Sequence, residues 1–182
     1  MAFSERFGPL EETIKSAGKQ NRLHPNLVDL SNIDPDHDDR LMGWNDRRML
    51  YQSGNQLWHT DSSFKPVPAM ASLLSGREVP PVGGETEFVS MRHARGTSRR
   101  LLDDLHTRTT RPEAVYQHRW RQWDLVMWDN RCVLHRGRPW DAEQHKRVMR
   151  RTTIAGEGPT AEPPLATRTP AWEGIIAAGV GV

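Results

Sequence analysis

Trp58-His59-Thr60-Asp61 sets an imidazole and a carboxylate two residues apart. On an extended strand, side chains two apart share a face, so both groups can reach one metal ion. A neutral nitrogen and a carboxylate oxygen, completed by a second histidine from another strand, make the two-histidine, one-carboxylate facial triad. That triad leaves three neighbouring positions on Fe(II) open for oxygen activation. His-x-Asp alone is a weak motif in a chain with eight histidines, where a surface pair is the plain alternative.

Further along, Trp128-Asp129-Asn130-Arg131 runs towards His135, and residues 124–136 read as a strand, a tight turn and a second strand. His135 is the candidate third ligand; the alternative is a hydrogen-bonded structural histidine on a half-apolar strand. Arg147-Val148-Met149-Arg150-Arg151 then places Arg147 and Arg151 four apart, on the same side of a strand. Two guanidinium forks there can meet two carboxylates.

Outside these motifs the chain reads as mostly β with flanking helices. Residues 56–61, 69–76, 85–89, 114–120 and 124–136 have strand-like content, with turn residues between several of them. A helix is expected over residues 98–108, where Ser98 can cap the start, Leu101, Leu102 and Leu105 form one apolar stripe, and Pro112 limits continuation. Residues 32–48 are polar and turn-rich, which suits a long surface loop or lid. The segment 156–182 is rich in Pro, Ala and Gly without apolar periodicity and reads as a loose tail.

Composition bounds the rest. The chain has 182 residues, of which 36% are hydrophobic, enough for one domain with a thin core. A single cysteine, Cys132, excludes an internal disulfide framework, and no apolar run is long enough to cross a bilayer, so the expectation is a soluble, cytoplasmic protein with no membrane partner. The sequence pI is about 9.0. The formal net charge is nevertheless only +2 and acidic residues are interspersed, so charge alone indicates no nucleic acid.

Four motifs in order, namely residues 58–61, the Gly83-Gly84-Glu85-Thr86 turn, Trp128-Asp129-Asn130-Arg131 with His135, and residues 147–156, resemble the taurine/2,4-dichlorophenoxyacetate dioxygenase (TauD/TfdA) family of Fe(II)- and 2-oxoglutarate-dependent dioxygenases. The run Gly54-Asn55-Gln56-Leu57-Trp58-His59-Thr60-Asp61-Ser62-Ser63-Phe64 and residues 124–131 are most similar to the phenoxyacetate branch. The resemblance implies a double-stranded β-helix, or jelly-roll, core. It implies that His59, Asp61 and His135 are the iron ligands and catalytic centre, that Thr86 and Arg147 hold the distal carboxylate of 2-oxoglutarate, and that Arg151 meets the substrate's anion. Asn55, Phe64 and Trp128 match pocket residues near the primary substrate, with packing or turn-satisfying roles as their alternative. The implied cofactor is Fe(II), with 2-oxoglutarate and O2 as co-substrates. The implied reaction is hydroxylation of a small anionic organic substrate, aryloxyalkanoate- or sulfonate-like, with decarboxylation of 2-oxoglutarate to succinate. Where the hydroxylated carbon bears an ether oxygen or a sulfonate, the product falls apart and an ether or C–S bond is cleaved.

The chain also departs from that pattern. Residues 2–11 resemble a segment that lies inside family members, after an N-terminal α/β portion, and a second break falls near 91–97. His59 to Thr86 keeps the family's interval of 27 residues, whereas Thr86 to His135 is only 49. The expectation is therefore a dioxygenase domain over 1–156 with an incomplete jelly roll, a tail over 157–182, and open sheet edges that allow a homo-oligomer. Two other readings stay open: a non-catalytic truncated remnant of such an enzyme, and a basic nucleic-acid-binding protein using residues 92–100 and 116–123.

Overall fold

Strand β4, Ala71–Glu78, is buried along most of its length, and its neighbouring leucines explain why. Leu74 faces a cluster with Phe88, Trp128 and Met149, while Leu73 faces the opposite side with Ala71 and Ile154. Alternation on a pleated strand sends successive side chains to opposite faces, so β4 is apolar on both. The computed structural model describes residues 1–13, 23–34, 36–90 and 110–158.

Around β4 lies a four-stranded antiparallel sheet. Its order is β1 (Val28–Ser31), β9 (Val148–Ile154), β4 and β7 (Leu125–Asp129). A three-stranded sheet places β5 (Thr86–Ser90) between β6 (Tyr116–His118) and β8 (Val133–Gly137). The first cluster draws Leu74, Trp128 and Met149 from one sheet and Phe88 from the other, with Val133 of β8 packed on it. Phe88 and Trp128 meet with ring centroids 5.3 Å apart. The two sheets thus share one core, as in a jelly roll. Burying each such large apolar side chain contributes about 1.5–3 kcal/mol.

Several expectations need correction. Residues 32–48 are not a loop: β2 (Ile33–Asp34) and β3 (His37–Leu41) form a hairpin, and helix α1 follows at Arg47–Ser53. Polar chemistry stands in for apolar alternation there. Asp34 accepts from the Asp36 backbone N–H at 3.1 Å and from Arg48 at 3.2 Å. Residues 56–61 are not a strand either. Gly54–Gln56 is a 3-10 turn, His59 makes one isolated antiparallel bridge to His135, and Asp61 opens a turn in which Ser62 has φ of 54°. Strand β6 is shorter than the expected 114–120, and β1 was not anticipated. Strands β4, β5, β7 and β8 fall where the sequence placed strands, and residues 148–154, which carry the second arginine of the basic motif, form β9. The expected helix over 98–108 and most of the tail, 159–182, lie outside the described residues. No helix among the described residues is long and apolar enough to cross a membrane.

Candidate active site

His59 and His135 are brought together by backbone pairing. The His59 N–H donates to the His135 carbonyl at 3.0 Å, and the His135 N–H returns the bond at 2.8 Å. Their rings lie 4.2 Å apart between centroids. Asp61 reaches the same point from the following turn, because the Thr60 hydroxyl donates to the Asn130 carbonyl at 2.7 Å and ties residues 59–61 to the β7–β8 turn. One ligand atom from each of His59, Asp61 and His135 lies within 4.8 Å of the others. Donors at neighbouring positions of one ion, each at about 2.0–2.2 Å, lie about 3 Å apart, so the three side chains would draw closer together on binding.

The donor chemistry fits a metal. His59 Nδ1 sits 2.8 Å from the Leu57 carbonyl, so it carries the proton and leaves Nε2 with a free lone pair. His135 is 5% exposed, and its Nδ1 is buried without a hydrogen-bond partner. Its Nε2 is 3.8 Å from Asp61 Oδ2, too far for a hydrogen bond. Burial holds the His135 imidazole at a pKa of about 3; Asp61 opposes this shift, while His59 and Arg151 add to it. The ring is neutral at physiological pH, the form that binds a metal.

Beside the triad opens a cleft. Arg147 and Arg151 both face it from β9 and its approach, as their four-residue spacing predicted. Arg147 is buried, its Nε donates to the Gly84 carbonyl at 3.1 Å, and its guanidinium lies 5.1 Å from the Trp140 ring centroid. Burial lowers its pKa to about 10, with Glu85 pulling the other way, so it stays charged at neutral pH. Among the described residues no carboxylate lies within ion-pair distance of it. Thr86 lines the same cleft and accepts from the Trp120 indole N–H at 2.9 Å, which leaves its own hydroxyl proton to donate elsewhere. Arg151 instead contacts Asp61, its Nη1 on Oδ1.

Trp128 and Asn55 line the cleft as expected, but Phe64 does not: it is 72% exposed. Ser62 and Lys65 both bind the Glu11 carboxylate at 2.7 Å, and the turn so anchored leaves Phe64 in solvent. Sequence reasoning missed Leu30, Trp44, Gln52 and Trp140, which complete the cleft walls. These four positions are scattered along the chain and carry no local sequence signal. It also missed Asn32, which is fully buried and binds the carbonyls of Ala142 and His145 at 2.7 and 3.0 Å and the Arg147 N–H at 2.8 Å.

Three donors for one ion, set beside a buried cation that seeks a carboxylate, suit a metal-dependent oxygenase with a dicarboxylate co-substrate. The sequence model of the family described as "Taurine catabolism dioxygenase TauD, TfdA family" matches residues 1–97 and 95–153, and the chain belongs to this family of 2-oxoglutarate-dependent dioxygenases. It is similar to the alpha-ketoglutarate-dependent 2,4-dichlorophenoxyacetate dioxygenase of Cupriavidus pinatubonensis, at 31% identity over 85% of this chain and 79% of that protein. It is also similar to the (S)-phenoxypropionate/alpha-ketoglutarate-dioxygenase of Sphingobium herbicidovorans, at 28% identity over 91% and 80% of the two chains. The crystal structure of AAD-2 in complex with Mn(II) and N-oxalylglycine matches with a TM-score of 0.75 at 33% identity, covering 90% of this chain and 81% of that one.

Proposed function

We propose that this dioxygenase hydroxylates a small anionic organic substrate of the aryloxyalkanoate or sulfonate kind. The observation that carries this reading is the convergence of His59, Asp61 and His135 beside two inward-facing arginines. His59, Asp61 and His135 would hold Fe(II), which would supply oxygen activation, with one oxygen atom of O2 entering a substrate C–H bond, the other entering succinate, and carbon dioxide released. Arg147 and the Thr86 hydroxyl hold the distal carboxylate of 2-oxoglutarate by charge-assisted hydrogen bonds. Trp140, packed over Arg147, keeps water from that ion pair. Arg151, which contacts Asp61 from the cleft, would meet the substrate anion when the metal engages that carboxylate. Asn55 and Trp128 border the substrate, and the apolar walls of Leu30 and Trp44 suit an organic body better than a sugar or a nucleotide. The similarity to two phenoxyalkanoate dioxygenases supports the aryloxyalkanoate choice.

The scaffold reads as shortened internally near 91–97. In support, the family model matches in two pieces that meet at residues 95–97. In addition, 85% of this chain stands opposite an alignment of 229 residues. That shortening favours a second reading, a non-catalytic remnant. The two are separated by measuring succinate release with Fe(II), 2-oxoglutarate and a panel of aryloxyacetates, aryloxypropionates and alkylsulfonates. Substrate-stimulated succinate formation, lost in His135→Ala, is the expected result. Metal binding without succinate selects the remnant, and no metal binding at all overturns the site.

A further inference from the structure

Trp128 does more than wall the cleft. Its indole Nε1–H can only donate, and it lies 2.9 Å from Asn130 Oδ1. That bond orients the Asn130 amide, an orientation otherwise ambiguous, so Nδ2 faces Ser72 Oγ at 2.9 Å and donates to it. Having accepted there, the Ser72 hydroxyl sends its proton to Asp61 Oδ2 at 2.7 Å. Ser72 and Trp128 are register partners in the β4–β7 pairing, so a ladder position brings both within reach of one asparagine. All four residues are buried, with exposures of 0% at Ser72, 4% at Asn130, 5% at Asp61 and 6% at Trp128.

We propose that Trp128, Asn130 and Ser72 form a one-way hydrogen-bond relay that sets the rotation of the Asp61 carboxylate for metal binding, each acting as a positioning residue. This rests on the reading of Asp61 as a metal ligand. A carboxylate on a short side chain turns freely about its last bond unless an oxygen is held. The relay holds Oδ2 from Ser72 on β4, while Arg151 holds Oδ1, and its polarity cannot reverse because the indole nitrogen has no acceptor form. Asn130 is also the residue whose carbonyl takes the Thr60 hydroxyl, so one asparagine steadies both the backbone between His59 and Asp61 and the Asp61 carboxylate. Its hydrogen-bonding capacity is absorbed there, since its N–H goes to the Met70 carbonyl at 2.9 Å.

The test is Mn(II) affinity of the full chain without co-substrate, by calorimetric titration, for Ser72→Ala, Asn130→Asp and Trp128→Phe. Asp at position 130 accepts from both neighbours, so Ser72 turns towards it and Asp61 Oδ2 loses its donor, leaving only Arg151 on Oδ1. Ser72→Ala and Asn130→Asp should weaken Mn(II) by about 10- to 100-fold, the range for loss of a partner that orients a ligand. Trp128→Phe, which frees the amide to flip, should weaken it less. The urea midpoint of Ser72→Ala should fall, since Asn130 Nδ2 and Asp61 Oδ2 each lose a buried partner, but its KM for 2-oxoglutarate, held at Arg147 and Thr86, should not move. Absorption of the Co(II)-loaded variants should shift, reporting altered ligand geometry. Asp61→Ala separates the two claims. If Asp61→Ala retains Mn(II), the metal site itself is wrong. If Asp61→Ala loses Mn(II) while Ser72→Ala and Asn130→Asp bind as wild type, the relay is overturned and the metal site stands. Should Ser72→Ala fail to fold, wild-type affinity and Co(II) spectrum in Trp128→Phe overturn the relay equally.

Discussion

His135 sits 5% exposed between Trp128 and His59, with its Nδ1 unpaired, and its charge state follows from that burial. Its pKa falls from 6.5 to about 3, so the native chain binds fewer protons than the unfolded chain across that interval. Stability from this group is fully present above about pH 6.5 and is lost as pH falls towards 3, with a slope of at most about 1.4 kcal/mol per pH unit. Urea unfolding of the metal-free protein between pH 7 and 4 should show that decline, and His135→Gln should flatten it; an identical decline in the variant would place its origin elsewhere. The two cleft arginines should separate kinetically. Arg147→Ala removes a buried cation facing the co-substrate carboxylate and should raise KM for 2-oxoglutarate by roughly ten- to a hundredfold. Arg151→Ala should instead raise KM for the anionic substrate. Steady-state kinetics with each substrate varied in turn checks the split, which fails if both variants affect the same one.

Two short elements hold Arg147. Gly83 and Gly84 have φ of 79° and 71°, a left-handed backbone that side chains disfavour. A Cβ on Gly84 would stand 2.9 Å from Pro80 Cγ and 3.1 Å from Arg147 Cδ and Nε. Gly84→Ala should therefore displace the guanidinium and raise KM for 2-oxoglutarate severalfold with a smaller change in kcat; unchanged kinetics would show that Arg147 tolerates the shift. On the other side, Asn32 ties the end of β1 to residues 142–147 through three hydrogen bonds. Asn32→Ala strands the Ala142 carbonyl and the Arg147 N–H, while the His145 carbonyl keeps the Trp140 indole N–H. At about 1–3 kcal/mol for each unsatisfied group, a loss of some 2 kcal/mol or more is expected in urea unfolding, and a loss below about 1 kcal/mol would refute the assignment of that role.

At the scale of the whole molecule, sheet edges matter most. Among the described strands β7 is an outer strand of the larger sheet and β6 of the smaller one. Beside the edge backbone of β7 stand Trp123 at 65% exposure, Leu125 at 50% and Met127 at 42%. An unpaired edge with apolar neighbours is a template for pairing with another chain. The chain should self-associate at micromolar concentration in light scattering, and Leu125→Lys with Met127→Lys should reduce it; a monodisperse wild-type monomer would overturn this. Fe(II) with 2-oxoglutarate, binding only the folded form, should raise Tm, and His135→Ala should abolish the rise.

The sequence alone determined the chemistry and most of the strands. Strand-like residue content bounded by turn residues marked β4, β5, β7 and β8, and the four-residue spacing of Arg147 and Arg151 set both on one side of β9 and its approach. Donor types at His59, Asp61 and His135 pointed to a transition-metal site, because imidazole and carboxylate together suit such ions. Helix α1 and the β2–β3 hairpin were illegible because polar side-chain bonds at Asp34 and Arg48, rather than apolar periodicity, hold them. Only the tertiary structure decided how the triad is assembled. The expected shared strand face at residues 58–61 is absent. A single bridge from His59 to His135 and the Thr60 contact to Asn130 take its place, across 76 and 70 positions of chain. Partners so distant in sequence leave no local pattern. The same reason explains why Phe64 points to solvent, why Asn32 is buried, and why Ser72 stands behind Asp61: each depends on which strand lies beside it, and pairing is settled by the packing of the whole core.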